Sequence, residues 1–226
     1  TVGRVVQESL EHVPNVIVVD DGSDDAGRRA VEALASLPGV TTVHQAVNGG
    51  KGAAVLSGFR TAIGMGFTHA VQIDADGQHD TTAIPTIVQA SRDRPETLVT
   101  GEPVFDSTAP RARLIARKVS IFWVNLEAGR GVVRDPLCGL RVYPLQAALA
   151  ANARGRRMDF DPEIAVRLAW GGAPVINVPT RVRYVAPEDG GVSHFRVVQD
   201  NVLMSAMHSR LCLELLGRRI RNWVRS

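Results

Sequence analysis

At 226 residues the chain is long enough for one sizeable core, or one domain with an appendage. A hydrophobic share of 45% with 22% charged residues is that of an ordinary globular protein. A net charge of +3 is too mild to argue for a nucleic-acid binder, and 5% aromatic residues are too few for stacking platforms along a single strand.

The chain opens at Thr1 inside a helical pattern, with Val2, Val5, Val6 and Leu10 at helical spacing. A domain that opens this way is expected to lack something upstream, so the fold's first strand is expected to be missing. Val16–Asp20 is a short apolar run ending in acid, as in a buried parallel strand. A turn at 21–25 and a helix carrying Val31 and Leu34 follow, then a strand Val40–His44. Asn48-Gly-Gly-Lys-Gly52 opens a helix through Ala53, Leu56, Phe59 and Ile63. Residues 70–74 read as a third strand, 84–90 as helix and 98–100 as a fourth strand. The second half is less regular: an amphipathic helix Arg111–Ala128, short strands at 174–178 and 181–185, and a long amphipathic helix over 195–216. Strand–helix alternation with short loops predicts an α/β fold, a Rossmann-like, mostly parallel sheet flanked by helices in three layers. No linker or repeat divides the chain, so one domain is expected over 1–226. Cys138 and Cys212 lie outside any Cys-x-x-Cys pair and are expected as buried thiols in a reducing compartment. The sequence carries neither a signal peptide nor an apolar run near ~18 residues, which points to a cytoplasmic chain without a spanning helix.

Ligands in such sheets sit at the carboxyl ends of the strands, where the acidic clusters of this chain fall. Asp74 and Asp76 flank Ala75 after the third strand, and in extended chain residues two apart share a face. Two bare carboxylates ~4 Å apart repel by several kcal/mol at an effective dielectric near ~20. A proton or a cation must compensate, and a divalent ion shared with a diphosphate does so. The plainer alternative is a turn at Asp76-Gly77 with Asp74 as a cap. Asp20 and Asp21 end the first strand, where an acid can accept from a nucleotide base or ribose. Ser23 or Asp24 also suits a helix N-cap. The 48–52 loop offers glycines for close backbone approach and Lys51 for a phosphate, but lacks P-loop spacing.

Taken together, Val16-Ile-Val-Val-Asp-Asp-Gly-Ser23, Gly50-Lys-Gly-Ala-Ala54, Val71-Gln-Ile-Asp-Ala-Asp-Gly-Gln-His79, Cys138-Gly-Leu-Arg-Val-Tyr143, Phe160-Asp-Pro-Glu-Ile164 and Val178-Pro-Thr-Arg-Val-Arg183 resemble glycosyltransferase family 2, in its dolichyl-phosphate mannosyltransferase-like branch. The resemblance implies a GT-A fold and inverting transfer of a sugar from a UDP- or GDP-sugar donor, with Mg2+ or Mn2+. It implies a nucleotide-sugar part over about 1–105 and an acceptor side over about 106–226. Asp21 matches the acid at the base, with Val19 beside it; Lys51 belongs to the donor side. Asp74, Ala75 and Asp76 match the Asp-x-Asp motif, with Asp74 and Asp76 as metal ligands and Asp76 nearest the diphosphate. Gln78 matches a polar position beyond it, and Arg141 and Arg183 match basic positions near phosphates.

For the catalytic base, Asp135, Asp159, Asp161 and Glu163 are all candidates, with Asp135 and Glu163 carried forward. The surface-salt-bridge alternative for Arg141 and Arg183 stays open. The family's Pro-x-Tyr-Asn-Glu strand is absent, and Gly190-Gly-Val-Ser-His194 stands where the lipid-phosphate branch has Gly-x-Ser-Lys. The expected acceptor is a lipid-linked phosphate or another group, and the basic C-terminal helix is a candidate for peripheral contact at the inner face of a membrane. A haloacid-dehalogenase-type phosphatase fits Asp74-Ala-Asp-Gly77 but wants Thr or Ser where Gln78 stands; a non-catalytic nucleotide-binding remnant is the other alternative.

Overall fold

The computed structural model describes residues 1–105, 109, 111–183 and 196–225. The pattern at 190–194, the end of the strand expected at 181–185 and the Phe195 start of the last helix lie outside them. The elements are α1 (Val2–Leu10), β1 (Val16–Asp20), α2 (Asp25–Leu34), β2 (Val40–His44), α3 (Lys51–Gly64), β3 (His69–Gln72), a short 3-10 turn (Thr81–Ala83), α4 (Ile84–Asp93), β4 (Leu98–Phe105), α5 (Arg111–Ala128), β5 (Arg141–Pro144), α6 (Leu145–Ala150), α7 (Phe160–Trp170), β6 (Val175–Val182) and α8 (Val197–Arg225).

β-Branched runs make β1 and β2, which pair in parallel from Val16↔Val40 to Asp20↔His44. Asp24 starts α2 by accepting the Gly27 amide at 2.8 Å, satisfying one orphan donor of the first turn. The second sheet has the order β3-β5-β4-β6. β4 and β6 run parallel over eight residue pairs, and β5 is antiparallel to both of its neighbours. Most paired residues therefore lie in parallel ladders, as expected.

Helices cover both faces. Phe59 of α3 and Phe160 and Ile164 of α7 pack with Tyr143 and Leu145 in the main cluster. Ile84 and Ile87 of α4 pack with Val99, Leu140 and Val142 in a second. Val6, Val18, Val31 and Leu34 form a third under α1 and α2. Each large side chain so buried contributes about 1.5–3 kcal/mol. α1 also ties the two sheets together: Arg4 Nη2 donates to the Gly77 carbonyl at 3.5 Å and Thr81 Oγ1 to Glu8 at 3.3 Å.

Several boundaries differ from the sequence reading, among them β4, which runs on from residue 100 to Phe105, and α4, which runs on from residue 90 to Asp93. β3 stops at Gln72, so Asp74 and Asp76 stand in the turn beyond the strand rather than on its face. The strands expected at 174–178 and 181–185 are one continuous β6. The C-terminal helix runs on from residue 216 to Arg225. Among the described residues no helix is long and apolar enough to cross a membrane.

Candidate functional site

The two acids ending β1 do different work. Asp20 is 2% exposed, accepts the Ser23 amide at 2.9 Å and lies 3.0 Å from His44 Nδ1. Burial pushes its carboxyl up, but those partners outweigh burial and hold it below the usual aspartate value. Asp21 clamps the next loop, accepting the Gly49 and Gly50 amides at 2.8 and 2.7 Å. Gly50 has φ +87°, and a side chain there would run into the Arg156 carbonyl; only glycine permits that backbone approach. The same carbonyl accepts the Gly52 amide at 2.7 Å, fixing the start of α3. Val19 packs against Gly58 of α3.

The first residue of α3, Lys51, joins two distant carboxylates: its Nζ lies 2.8 Å from Asp74 Oδ2 and 2.6 Å from Asp161 Oδ2. Burial works against the ammonium, but Asp161 and Asp74 more than reverse it, so Lys51 stays charged well above the usual lysine range. Burial likewise pushes the Asp74 carboxyl up, and Lys51 pulls harder, leaving it below the usual aspartate value. Thus the positive charge that the acid pair requires is supplied to Asp74 by the protein. The Gly139 backbone presses so close to the Asp74 carboxylate that any side chain at 139 would collide with it.

Asp76 is freer. Its Oδ1 accepts the Gln78 amide at 3.0 Å, and it makes no ion pair among the described residues. Ala75 is exposed beside it. Gly77, at φ +73°, turns the chain back so that His79 bridges Val182 and the Gln78 carbonyl accepts the Arg183 amide at 3.0 Å. This brings the exposed Arg183 to the edge of the Asp76 turn. His79 Nδ1 is buried without a hydrogen-bond partner. Burial lowers the His79 pKa, and Asp74 and Asp76 only partly restore it.

No three His, Cys, Asp or Glu side chains among the described residues cluster as a cation cage. What stands here is Asp76 with an open carboxylate edge, Asp74 held on Lys51, and an orphaned imidazole nitrogen. The two carboxylates, without the imidazole, fit a hard divalent ion that takes few protein ligands and completes its shell with water and a bound diphosphate.

The other expected residues fall elsewhere. Arg141 is 0% exposed, which removes the surface-salt-bridge alternative for it. Its Nε donates to Cys138 O (2.8 Å), its Nη1 to Asp161 O (2.7 Å) and Tyr143 Oη (3.2 Å), and its Nη2 to Pro136 O (2.6 Å). It thereby pins the 136–139 loop, and so Gly139, against Asp74. Asp135 is 4% exposed, paired with Arg117 and accepting the Leu137 amide. Glu163 is 0% exposed and accepts the Arg154 and Gly155 amides together with Arg167 Nε and Arg210 Nη2. Asp159 accepts the Arg157 amide at 2.9 Å. Of the four candidate bases, only Asp161 is joined through Lys51 to Asp74. Gly139 and His79 carry no signal as isolated letters; their place shows only once the 136–139 loop and β6 fold over the Asp74 turn. The thiols are unpaired: Cys138 is buried, its pKa pushed up to about 11 by burial, and Cys212 is half-buried.

The sequence pattern of Glycosyl transferase family 2 matches residues 2–136. An undecaprenyl-phosphate mannosyltransferase of Micrococcus luteus is 37% identical over 93 residues, which cover 41% of this chain and 37% of that protein. A polyprenol monophosphomannose synthase of Mycolicibacterium smegmatis is 31% identical over 175 residues, covering 73% of this chain and 65% of that protein. The chain thus spans only part of either relative. Among solved structures, glucosyl-3-phosphoglycerate synthase from Mycobacterium tuberculosis, in complex with Mn2+ and UDP-glucose, superposes with a TM-score of 0.61 at 18% identity, over 96% of this chain and 74% of that one.

Proposed function

The chain belongs to glycosyl transferase family 2 and is a glycosyltransferase of GT-A fold; from that premise we propose that it transfers a sugar, with inversion, from a nucleoside-diphosphate donor to a lipid-phosphate acceptor. The observation that carries this reading is the Asp74–Ala75–Asp76 turn at the carboxyl end of β3, with Lys51 2.8 Å from Asp74 and the Asp76 edge open. A divalent ion, held by Asp76 with Asp74, would offset charge on the donor diphosphate and stabilise it as a leaving group.

The chain's own residues do the rest. Asp21 fixes the 49–50 loop through both carboxylate oxygens and so sets where Lys51 begins α3. Lys51 keeps Asp74 ionised and supplies a fixed positive charge beside the diphosphate. An acceptor phosphate oxygen attacks the anomeric carbon from the face opposite the diphosphate; the new C–O bond forms as the bond to the donor oxygen breaks, and that electron pair leaves on the nucleoside diphosphate. A phosphate acceptor is already anionic and needs no proton removed. This agrees with Asp135 and Glu163 both being committed to arginines. The relatives named for undecaprenyl and polyprenol phosphates favour this acceptor class, and peripheral membrane contact through α8 would bring the chain to it.

The test is Asp76→Asn. Metal-dependent binding of UDP or GDP is expected to be lost while the melting temperature holds. Unchanged metal-dependent binding in that variant would overturn the assignment.

A further inference from the structure

A cavity of about 620 Å3 lies between the 48–50 loop, the 154–157 loop and α8. Gly50 borders it, whereas the next residue, Lys51, reaches Asp74. Five arginines line the cavity, Arg154, Arg156, Arg157, Arg196 and Arg210, against one acidic residue, Asp159.

Two of the five are held from behind by acids that are 0% exposed: Arg157 Nε lies 2.8 Å from Asp200, and Arg210 Nη2 2.8 Å from Glu163. Glu163 also takes the Arg154 and Gly155 amides, so the loop bearing the first three arginines is tied to the same anchor. Asp200 takes the Arg196 amide at 2.6 Å as well. Even with both buried acids included, guanidiniums outnumber carboxylates, and Glu163 is shared with Arg167. Arg154 and Arg156 are exposed and make no ion pair among the described residues, and Arg210 Nε is buried without a hydrogen-bond partner. Rigidly mounted guanidinium forks match phosphate oxygens in shape and charge. A basic face merely solvated would need neither the concavity nor two buried carboxylates holding its arginines in place.

We propose that this cavity is a second anion site, binding a phosphomonoester or diphosphate group without a divalent metal. It rests on the cavity and not on the sugar reaction. The phosphate could arrive on an amphiphile or on a free nucleotide, and the two sources are separable.

The experiment is calorimetric titration of the full chain with inorganic pyrophosphate in excess EDTA. Binding is expected in the unaltered chain and with equal affinity in Asp76→Asn, but at least tenfold weaker in the double variant Arg154→Gln, Arg156→Gln. Both of those side chains are exposed, and a matching melting temperature shows that the double variant folds. A second arm compares UDP in solution with farnesyl phosphate in phosphatidylcholine vesicles, again in EDTA. Arginine-dependent binding of the vesicle-borne phosphate assigns the site to an amphiphile, and of UDP alone to the free nucleotide. The proposal is overturned if no metal-free binding occurs, if the double variant binds as well as the unaltered chain, or if Asp76→Asn abolishes binding. A failure of sugar transfer alongside intact, arginine-dependent binding would sink the proposed reaction and leave this site standing.

Discussion

Gly139 tests the acid pair more cleanly than the acids do, because it carries no charge of its own. Gly139→Ala drives a methyl group into the Asp74 carboxylate, and overpacking of this kind costs about 1–3 kcal/mol. The oxygen the methyl group meets most closely, Asp74 Oδ2, is the one paired with Lys51. Metal-dependent UDP or GDP binding is therefore expected to weaken at least tenfold, while Gly64→Ala, where a methyl group meets nothing within 4 Å, leaves binding unchanged. Equal affinities in the two variants would show that the Lys51–Asp74 contact is irrelevant to the nucleotide. Glu163 gives a prediction in pH. Burial raises its pKa, but Arg167, the Gly155 amide and Arg210 outweigh burial and set it below the ordinary 4.5. A depressed carboxyl stabilises the fold fully above the unfolded value and loses that contribution as pH falls through the folded one. Melting temperature should thus fall on acidification below about pH 4.5, and Glu163→Gln, already destabilised at neutral pH, should show a flatter acid limb. The acids at 21, 74 and 76 were legible in the sequence because they follow apolar strand runs, with Gly22 next to Asp21 and Gly77 next to Asp76. Asp161 as the second partner of Lys51 was not, since the separation of 110 residues between them is closed only by folding.

At the scale of elements, α5 and α8 are joined by a buried polar pair. Glu127 (3% exposed) and His208 (5%) meet at 2.9 Å, with Trp123 stacked on the imidazole at 5.9 Å between centroids. Removing one partner leaves a buried polar group short of its hydrogen bond, a loss of about 1–3 kcal/mol. His208→Ala should cost about that in urea unfolding, and the double variant Glu127→Leu, His208→Leu should recover most of it. A double variant no better than the single one would show that packing, not the pair, holds α8. The first four helices could be read from periodicity because each buries one apolar face, and β1 from its short apolar run. β5 could not: four residues opening on Arg141 and closing on Pro144 show no alternation, and its place between β3 and β4 is a tertiary fact. β6 looked like two strands because Pro179 interrupts it. Proline is tolerated there because the 78–80 turn meets the free side of β6 only from Arg181 on, which leaves the position of Pro179 on an edge among the described residues. Pro103 survives in β4 for a related reason, since β5 pairs with β4 only at Val99 and Thr100.

Across the whole molecule, apolar side chains left on the surface gather on these same two helices. Ile115, Val119, Phe122 and Leu126 recur along α5 at steps of three and four, each 47% exposed or more. Val198, Val202, Leu213, Leu216, Ile220 and Trp223 lie on one stripe of α8, each at least 55% exposed. Contiguous exposed apolar patches beyond a few hundred Å2 are rare on free-standing soluble surfaces and mark contacts. Arg219 and Arg221, both exposed, flank the stripe near its end. An apolar strip beside arginines matches a bilayer interface with anionic headgroups, where each basic residue contributes about 1 kcal/mol and the attraction decays within a Debye length of ~8 Å at physiological salt. The chain should therefore co-float with vesicles containing phosphatidylglycerol. It should float less in ~0.5 M salt, where screening is stronger, and less with neutral vesicles. Leu216→Asp should reduce flotation by placing a charge in the strip, and Arg219→Gln, Arg221→Gln should remove most of its salt sensitivity. If flotation is absent, or ignores both salt and Leu216→Asp, then the stripes meet another protein surface instead. The proposed lipid acceptor would then have to be delivered to the Asp76 turn without the chain docking on the membrane.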